Sequence, residues 1–267
     1  MTLVLKKYNS TVKPKKRLGQ HFLESSEIAK KIVDCLDCND INTIIEIGPG
    51  MGILTNHIIK LSKNSFFIEI DNESVDYLKK EFTEIKHSIV QEDFLKIDLK
   101  KFKSPLAIIG NFPYNISSQI VFKIIENKNS VETLVGMFQL EVAKRICEKP
   151  GSKSYGILSV LVQAYYETSF EFLLEPTYFN PPPKVDSGVI TLKRKKQLEL
   201  KCNETLFFKV VKTSFQQRRK TIRNSLKVFN LSNNIKEDVI FGKRPETLSV
   251  DDFIHLTNII ANENIST

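Results

Sequence analysis

Ten residues, Thr43 to Gly52, constrain the fold of this chain more than any others. They read T-I-I-E-I-G-P-G-M-G. A short apolar run (Ile44, Ile45, Ile47) stops at Gly48, Gly50 and Gly52, and an amphipathic stretch through Ile53, Leu54, Ile58 and Leu61 follows at once. The pattern predicts a strand, a tight turn and a helix. Glycine suits such a turn because a side chain would obstruct positive φ angles and the close approach of a ligand to the backbone. The spacing G-x-G-x-G is one residue shorter than the dinucleotide fingerprint, so the turn points to a nucleotide-like ligand without naming it.

The rest of the first two-thirds repeats the same rhythm. Helix is expected from Ile28 to Leu36 behind Ser25-Ser26-Glu27, with strands over Ser65–Ile70, His87–Val90, Leu106–Ile109 and Thr133–Gln139. Asn72 or Ser74 can cap the helix after the second strand, and a helix over Ser117–Glu126 follows the fourth. Strands alternating with helices predict an α/β fold, a doubly wound, Rossmann-like sheet. Two extended segments, Glu167–Leu174 and Val185–Arg194, flank the turn F-N-P-P-P-K and would close the sheet antiparallel. Helical periodicity from Thr205 to Ala261 predicts a small C-terminal helical domain. The expected division is a mobile basic arm over 1–16, the sheet domain over 17–197 and the helical domain over 198–267.

In a doubly wound sheet, ligands bind beyond the carboxyl ends of the strands. Four successive strand ends carry Gly48–Gly52, Glu69, Asp93 and Asn111–Tyr114, so the fold would gather them in one crevice. Glu69 lies 19 positions after Gly50, where an acidic residue can accept both ribose hydroxyls. Asp93 can accept from an adenine amino group, and Ile70 and Phe94 can sandwich the ring. A nucleoside cofactor follows, either NAD or S-adenosylmethionine.

The segment Asn111-Phe112-Pro113-Tyr114 favours the second. An adenine exocyclic amine is a poor nucleophile because its lone pair is delocalised into the ring. Two neutral acceptors on its hydrogens, the Asn111 side-chain oxygen and the Phe112 carbonyl, would free that lone pair. Pro113 biases the residue before it to an extended backbone, and Tyr114 offers a face for an unstacked base.

The blocks Q-H-F-L, E-I-G-P-G-M-G-I-L-T, I-E-I-D, E-D-F, G-N-F-P-Y-N-I-S-S, P-P-P-K-V-D-S and Q-R-R-K-T-I-R-N-S-L, spread from Arg17 to Ile260, resemble those of the ribosomal RNA adenine dimethyltransferases, and within them the small-subunit branch. The resemblance implies S-adenosylmethionine as methyl donor. It implies as substrate two adjacent adenosines in a hairpin loop near the 3′ end of small-subunit rRNA, each taken to N6,N6-dimethyladenosine. It places His21 and Leu23 at the donor's methionine end, Gly48 at its backbone, Glu69 at the ribose, Asp93 at the adenine, and Asn111 between donor and target base. Phe179 would be the second wall of the base pocket opposite Tyr114, with Lys184 of the same loop on the substrate. Family members often have Asn at the place of His21 and Leu at that of Phe112.

A net charge of +8 with pI near 9.1 favours a polyanionic partner. The charge is clustered in Lys13–Arg17, Lys193–Lys196 and Arg218, Arg219, Lys220 and Arg223, the last four expected on one helix that reads rRNA shape. Phosphate contacts would offset the few kcal/mol needed to unstack an adenine. Four cysteines and four scattered histidines give neither a disulfide framework nor a metal site. Reduced thiols and the absence of a signal core or membrane-spanning run predict a cytoplasmic protein; the resemblance implies the assembling small ribosomal subunit as partner, and a monomer is expected. Competing readings are the large-subunit rRNA methyltransferases of macrolide resistance, a ribosome-assembly or transcription factor that has lost catalysis, and a nicotinamide-dependent oxidoreductase. The last lacks a proton donor at the crevice and leaves N-F-P-Y unexplained.

Overall fold

In the computed structural model, which describes residues 12–61 and 63–266, the run Thr43–Ile47 is buried along its whole length. Burial on both faces is what a central parallel strand requires. In chain order the strands are β1 (Phe22–Leu23), β2 (Thr43–Ile47), β3 (Asn64–Glu69), β4 (Ile89–Gln91), β5 (Leu106–Asn111), β6 (Val131–Gln139), β7 (Tyr166–Leu174), β8 (Phe179–Asn180) and β9 (Ser187–Arg194). Seven of them form one sheet in the order β4-β3-β2-β5-β6-β9-β7. The pairings from β4 through β6 are parallel, and β9 joins β6 antiparallel, as the sequence predicts for the closing segments. The strand order reverses between β2 and β5, the switch point at which such sheets bind ligands.

The helices of this part are α1 (Ser26–Asp34), α2 (Thr55–Ile58), α3 (Asn72–Glu81), α4 (Ser117–Glu126) and α5 (Leu140–Cys147). The Ser25 hydroxyl accepts from the Ile28 amide at α1, as expected of a cap. At α3 the cap position falls to Asp71, ahead of both Asn72 and Ser74, and its carboxylate accepts from the Ser74 hydroxyl instead of from a backbone amide. Helix α5, unforeseen, follows β6 with no Gly or Pro at the junction to announce it.

The chain divides into two compact units, Met1–Ala143 with Phe170–Lys193, and Lys144–Ser169 with Arg194–Thr267. The boundary expected near Gln197 thus falls at Arg194, and Lys144–Ser169 belongs to the second unit. That unit contains α6 (Ile157–Gln163), α7 (Glu204–Gln216), α8 (Ile222–Ser225) and α9 (Val250–Ser266). Helix α7 packs on α6, α8 and α9 around the buried side chains of Phe207, Val210, Phe241, Phe253 and Leu256.

Two expectations need correction. The proposed arm over 1–16 lies outside the described residues only as far as residue 11. Val12 is buried, and the Lys15 ammonium pairs with the carboxylates of Asp71 and Glu73, so the segment from Val12 is tied down. Nor do Arg218, Arg219, Lys220 and Arg223 share a helix. Helix α7 ends at Gln216, and Thr221, in an extended conformation, starts the four-residue α8.

Candidate active site

The glycine turn divides its labour among three residues, all with positive φ. Around Gly48 no atom lies within 4 Å of the place a Cβ would take, which leaves an open shelf at the end of β2. A Cβ on Gly50 would stand 2.8 Å from the Phe22 ring, and one on Gly52 would stand 2.5 Å from the Phe82 ring. Gly52 therefore lets the turn pack against the end of α3, and it is not among the residues that border the cleft described next.

One cleft is bordered by Gly48 and Gly50, by Glu69 and Ile70, by Asp93 and Phe94, and by all of Asn111–Tyr114. The four strand ends do converge. Glu69 is buried, and its two carboxylate oxygens accept from the amides of Gly50 (3.0 Å) and Asp71 (2.8 Å). The Ile70 amide also bonds to it, and a carboxylate has about four acceptor sites, so the amides aim Glu69 without exhausting it. Burial raises its pKa above the usual carboxylate range, and the same amide bonds oppose that rise. Ile70 is half exposed, a bare apolar face beside Glu69. The Asp93 carboxylate accepts from the Leu95 amide (3.0 Å), which turns the loop after β4.

Lys123 of α4 holds that loop from behind. Its ammonium donates to the carbonyls of Leu95 (3.0 Å) and Ile97 (2.5 Å) and lies 5.2 Å from the centre of the Phe94 ring. Burial lowers its pKa, an effect that Asp93 and other nearby carboxylates oppose. No sequence motif marked this lysine.

At the end of β5, the Asn111 side-chain nitrogen donates to the His21 carbonyl at 2.7 Å. A carbonyl can only accept, so this contact fixes which way the amide faces and leaves its oxygen as the free acceptor. Phe112 is buried, its ring edge-on to Phe138 at 5.2 Å. Gly136 makes the room, since a Cβ there would be 2.1 Å from that ring. With the ring committed to the core, the main chain is the part of Phe112 available to the cleft. The Tyr114 hydroxyl is 2.6 Å from the Ser187 hydroxyl, and burial raises the phenol's pKa.

His21 borders the same cleft, and its ring has partners that the sequence did not indicate. Its ring stacks on Tyr114 (centroids 5.6 Å apart, 28° between planes), and its Nδ1 donates to the Pro181 carbonyl at 2.7 Å. Phe179, expected opposite Tyr114, is not brought to the cleft. It pairs with Leu23 across β1 and β8, and its side chain is 3% exposed in the core with Ile28, Ile32 and Val189. The ring that the structure sets against Tyr114 is therefore that of His21. Leu23 borders a small recess beside the cleft, with Glu46, Gly48 and Asn111. Lys184 is exposed.

In the second unit, Arg218 is engaged internally: Nε donates to Glu246 (2.7 Å) and Nη2 to the Ser152 carbonyl (3.2 Å). Arg219 and Lys220 are exposed, and Arg223 donates to the Lys236 carbonyl at 2.6 Å.

A family model described as ribosomal RNA adenine dimethylase matches residues 11–262. The chain belongs to this family. A ribosomal RNA small subunit methyltransferase A from Flavobacterium johnsoniae is 54% identical to this dimethylase over 256 residues, covering 95% of this chain and 98% of the relative. One from Cytophaga hutchinsonii is 49% identical over 94% of this chain and 99% of its own. Among solved structures, a dimethyladenosine transferase from Plasmodium falciparum superposes with a TM-score of 0.78 at 25% identity, covering 91% of this chain and 98% of that one. The 23S rRNA methyltransferase ErmE superposes at 0.66 with 22% identity, over 89% and 99%, and so shares the fold. As a ribosomal RNA adenine dimethylase the chain is an S-adenosylmethionine-dependent methyltransferase with rRNA as substrate. The open shelf at Gly48, the aimed carboxylate of Glu69 and the apolar face of Ile70 suit such a donor. Among the described residues, no helix is long and apolar enough to cross a membrane.

Proposed function

We propose that this dimethylase converts two adjacent adenosines of small-subunit rRNA, in a hairpin loop near the 3′ end, to N6,N6-dimethyladenosines. The observation that carries the reading is the assignment of the Asn111 amide at the cleft, whose nitrogen is held by the His21 carbonyl and whose oxygen is left to accept. When bound, S-adenosylmethionine supplies an electrophilic methyl group. Glu69 accepts the ribose hydroxyls on its remaining lone pairs, and Asp93 accepts from the adenine amine between Ile70 and Phe94. Gly48 leaves room for the donor's backbone, and Leu23 borders its methionine end.

The Asn111 oxygen and the Phe112 carbonyl take the two hydrogens of the target amine. Both acceptors are neutral, so they localise the nitrogen lone pair without removing a proton from it. Once alkylated, the nitrogen is strongly acidic and its proton passes to water, which is why the site needs no strong base. Tyr114 supports the unstacked base, its hydroxyl held by Ser187 and its ring backed by His21.

The second unit supplies phosphate contacts. Lys209, Lys220 and Lys227 edge a polar groove there with Gln216, Gln217 and Asn224. Lysines interspersed with side-chain amides are the chemistry of backbone-directed RNA binding. We assign the protein to the cytoplasm, as a monomer acting on the assembling small subunit.

The test is transfer of tritiated methyl from S-adenosylmethionine to isolated small and large ribosomal subunits, followed by nucleoside analysis. Label in N6,N6-dimethyladenosine of the small subunit is the expected result. Label in the large subunit would favour the macrolide-resistance reading, and no label on either would favour an assembly factor without catalysis.

A further inference from the structure

We propose that Ser187 and His21 are positioning residues that together fix the ring of Tyr114 as the platform for the target adenine, Ser187 through the phenol and His21 through the ring face. The inference deepens the reading that this cleft methylates an adenine of rRNA, and rests on it.

Ser187 reaches Tyr114 because of strand direction. Strand β9 runs antiparallel to β6, so its first residue, Ser187, stands opposite Gln139 at the carboxyl end of β6. The parallel strand β5 ends at the same edge of the sheet, with Asn111 opposite Met137. Ser187 is wholly buried, and its hydroxyl shares a 2.6 Å hydrogen bond with that of Tyr114. It closes the block P-P-P-K-V-D-S, and neither the donor cleft nor the acceptors of the target amine involve it.

The same block holds Tyr114 a second time, through His21. The His21 ring stacks on Tyr114 with centroids 5.6 Å apart, and its Nδ1 donates to the carbonyl of Pro181, the first residue of the block, at 2.7 Å. Rings at that separation are in contact. They leave no room for a base between them, so the adenine is left the other face of Tyr114. Tyr114 is only half-buried, and an untethered side chain there would have several rotamers open to it. With its hydroxyl and one face both held, the ring is ordered before the adenine arrives, and the freedom it would otherwise lose on stacking is already gone. A platform set in advance holds the target amine against the Asn111 oxygen and the Phe112 carbonyl, where small misplacements slow transfer.

The test measures, on the full chain, methyl transfer from saturating S-adenosylmethionine to isolated small ribosomal subunits, and S-adenosylhomocysteine affinity by calorimetry. Ser187→Ala and His21→Ala should each slow transfer about fivefold, the factor that one neutral hydrogen bond or one aromatic contact is worth. Affinity for S-adenosylhomocysteine and KM for subunits should stay within about twofold. A mutant cycle separates positioning from a general loosening of the fold: Tyr114→Phe should be as slow as Ser187→Ala, and adding Ser187→Ala to it should slow transfer no further. His21→Phe, which keeps a ring on Tyr114, should recover most of the rate lost in His21→Ala. Additive losses in the cycle would overturn the part given to Ser187. Weakened S-adenosylhomocysteine binding in His21→Ala, with an undiminished rate at saturating donor, would overturn that of His21 and leave its side chain to the donor. A parent protein that transfers no methyl to either ribosomal subunit would instead overturn the reading of the cleft on which the proposal rests.

Discussion

Asn111 and His21, 90 positions apart, are joined by a single hydrogen bond from a side-chain amide to a backbone carbonyl. The bond links the segment entering β1 to the end of β5, and it decides which atom of Asn111 is left to accept. Asn111→Ala removes that acceptor while Phe112 keeps its ring in the core. Methyl transfer should fall by a hundredfold or more, roughly the cost of removing one preorganised polar group from a reacting centre. Binding of S-adenosylhomocysteine and of rRNA should stay within a few-fold. A rate within threefold of the parent would remove Asn111 from the chemistry.

Lys123 supports the adenine side of the cleft without belonging to any motif. Lys123→Met keeps the length of the side chain and loses both bonds to the carbonyls of Leu95 and Ile97. Affinity for adenosine and for S-adenosylhomocysteine should drop by similar factors, about tenfold, as expected for a missing charge-assisted hydrogen bond. Transfer at saturating donor should be nearly unchanged, because Lys123 acts through the loop that carries Asp93 and Phe94. Lys123→Arg should recover part of the loss. Unchanged affinity in Lys123→Met would show that the loop holds its shape unaided.

Much of this site was legible because its residues sit where the fold repeats itself. Apolar runs ending in Gly48, Glu69, Asp93 and Asn111 are strand ends, and parallel strands bring such ends together whatever the loops between them do. Helix α4 falls on the expected Ser117–Glu126 for the same reason: four of its apolar residues recur at helical spacing after a turn. The failures have local causes. The pairing of Phe22–Leu23 with Phe179–Asn180 is only two residues long, too short for any periodicity, and it is this pairing that draws Phe179 into the core. The buried positions of α7, from Phe207 to Ser214, continue in phase toward Ile222, which conceals the break after Gln216. Lys15 and Lys123 read as surface charge, because nothing in sequence spacing shows that their partners are Asp71 and the loop after Asp93.

The basic residues after α7 should separate into two classes. Arg218→Ala removes the bonds to Glu246 and Ser152, so it should lower stability by about 1 kcal/mol for a partly buried pair. Arg219→Ala with Lys220→Ala should leave the melting temperature unchanged and weaken subunit binding. The slope of log affinity against log salt should fall by about two, one for each phosphate that is no longer neutralised. If the double variant bound with the parent's salt slope, these two residues would not contact rRNA. If Arg218→Ala reduced the slope without affecting melting, its ion pair with Glu246 would be dispensable in the free protein.

The buried carboxyl of Glu46 should also mark the pH dependence of the ligand-free protein's stability. Burial raises its folded-state pKa to about 8 from the ordinary 4.5 of an exposed glutamate. The folded state therefore binds the proton more tightly than the unfolded one. The contribution is fully present below about pH 4.5 and is lost progressively as pH rises to 8. Linkage puts the total at about 5 kcal/mol, since each tenfold difference in proton affinity between the two states is worth roughly 1.4 kcal/mol. Glu69, also raised, adds a loss of the same sign. Asp71 acts oppositely: burial raises its pKa, but the bonds from Lys15, Gln20 and Ser74 more than offset that, so it gains stability as pH rises through its own range. Glu46→Gln isolates the Glu46 contribution, because an amide does not titrate but can still accept from Thr55. Denaturant unfolding at pH 5 and at pH 8 should show the parent losing stability relative to Glu46→Gln by several kcal/mol. Parallel stability curves for the two proteins would mean that Glu46 is already ionised in the folded protein, with the Thr55 hydroxyl bond outweighing the cost of burial.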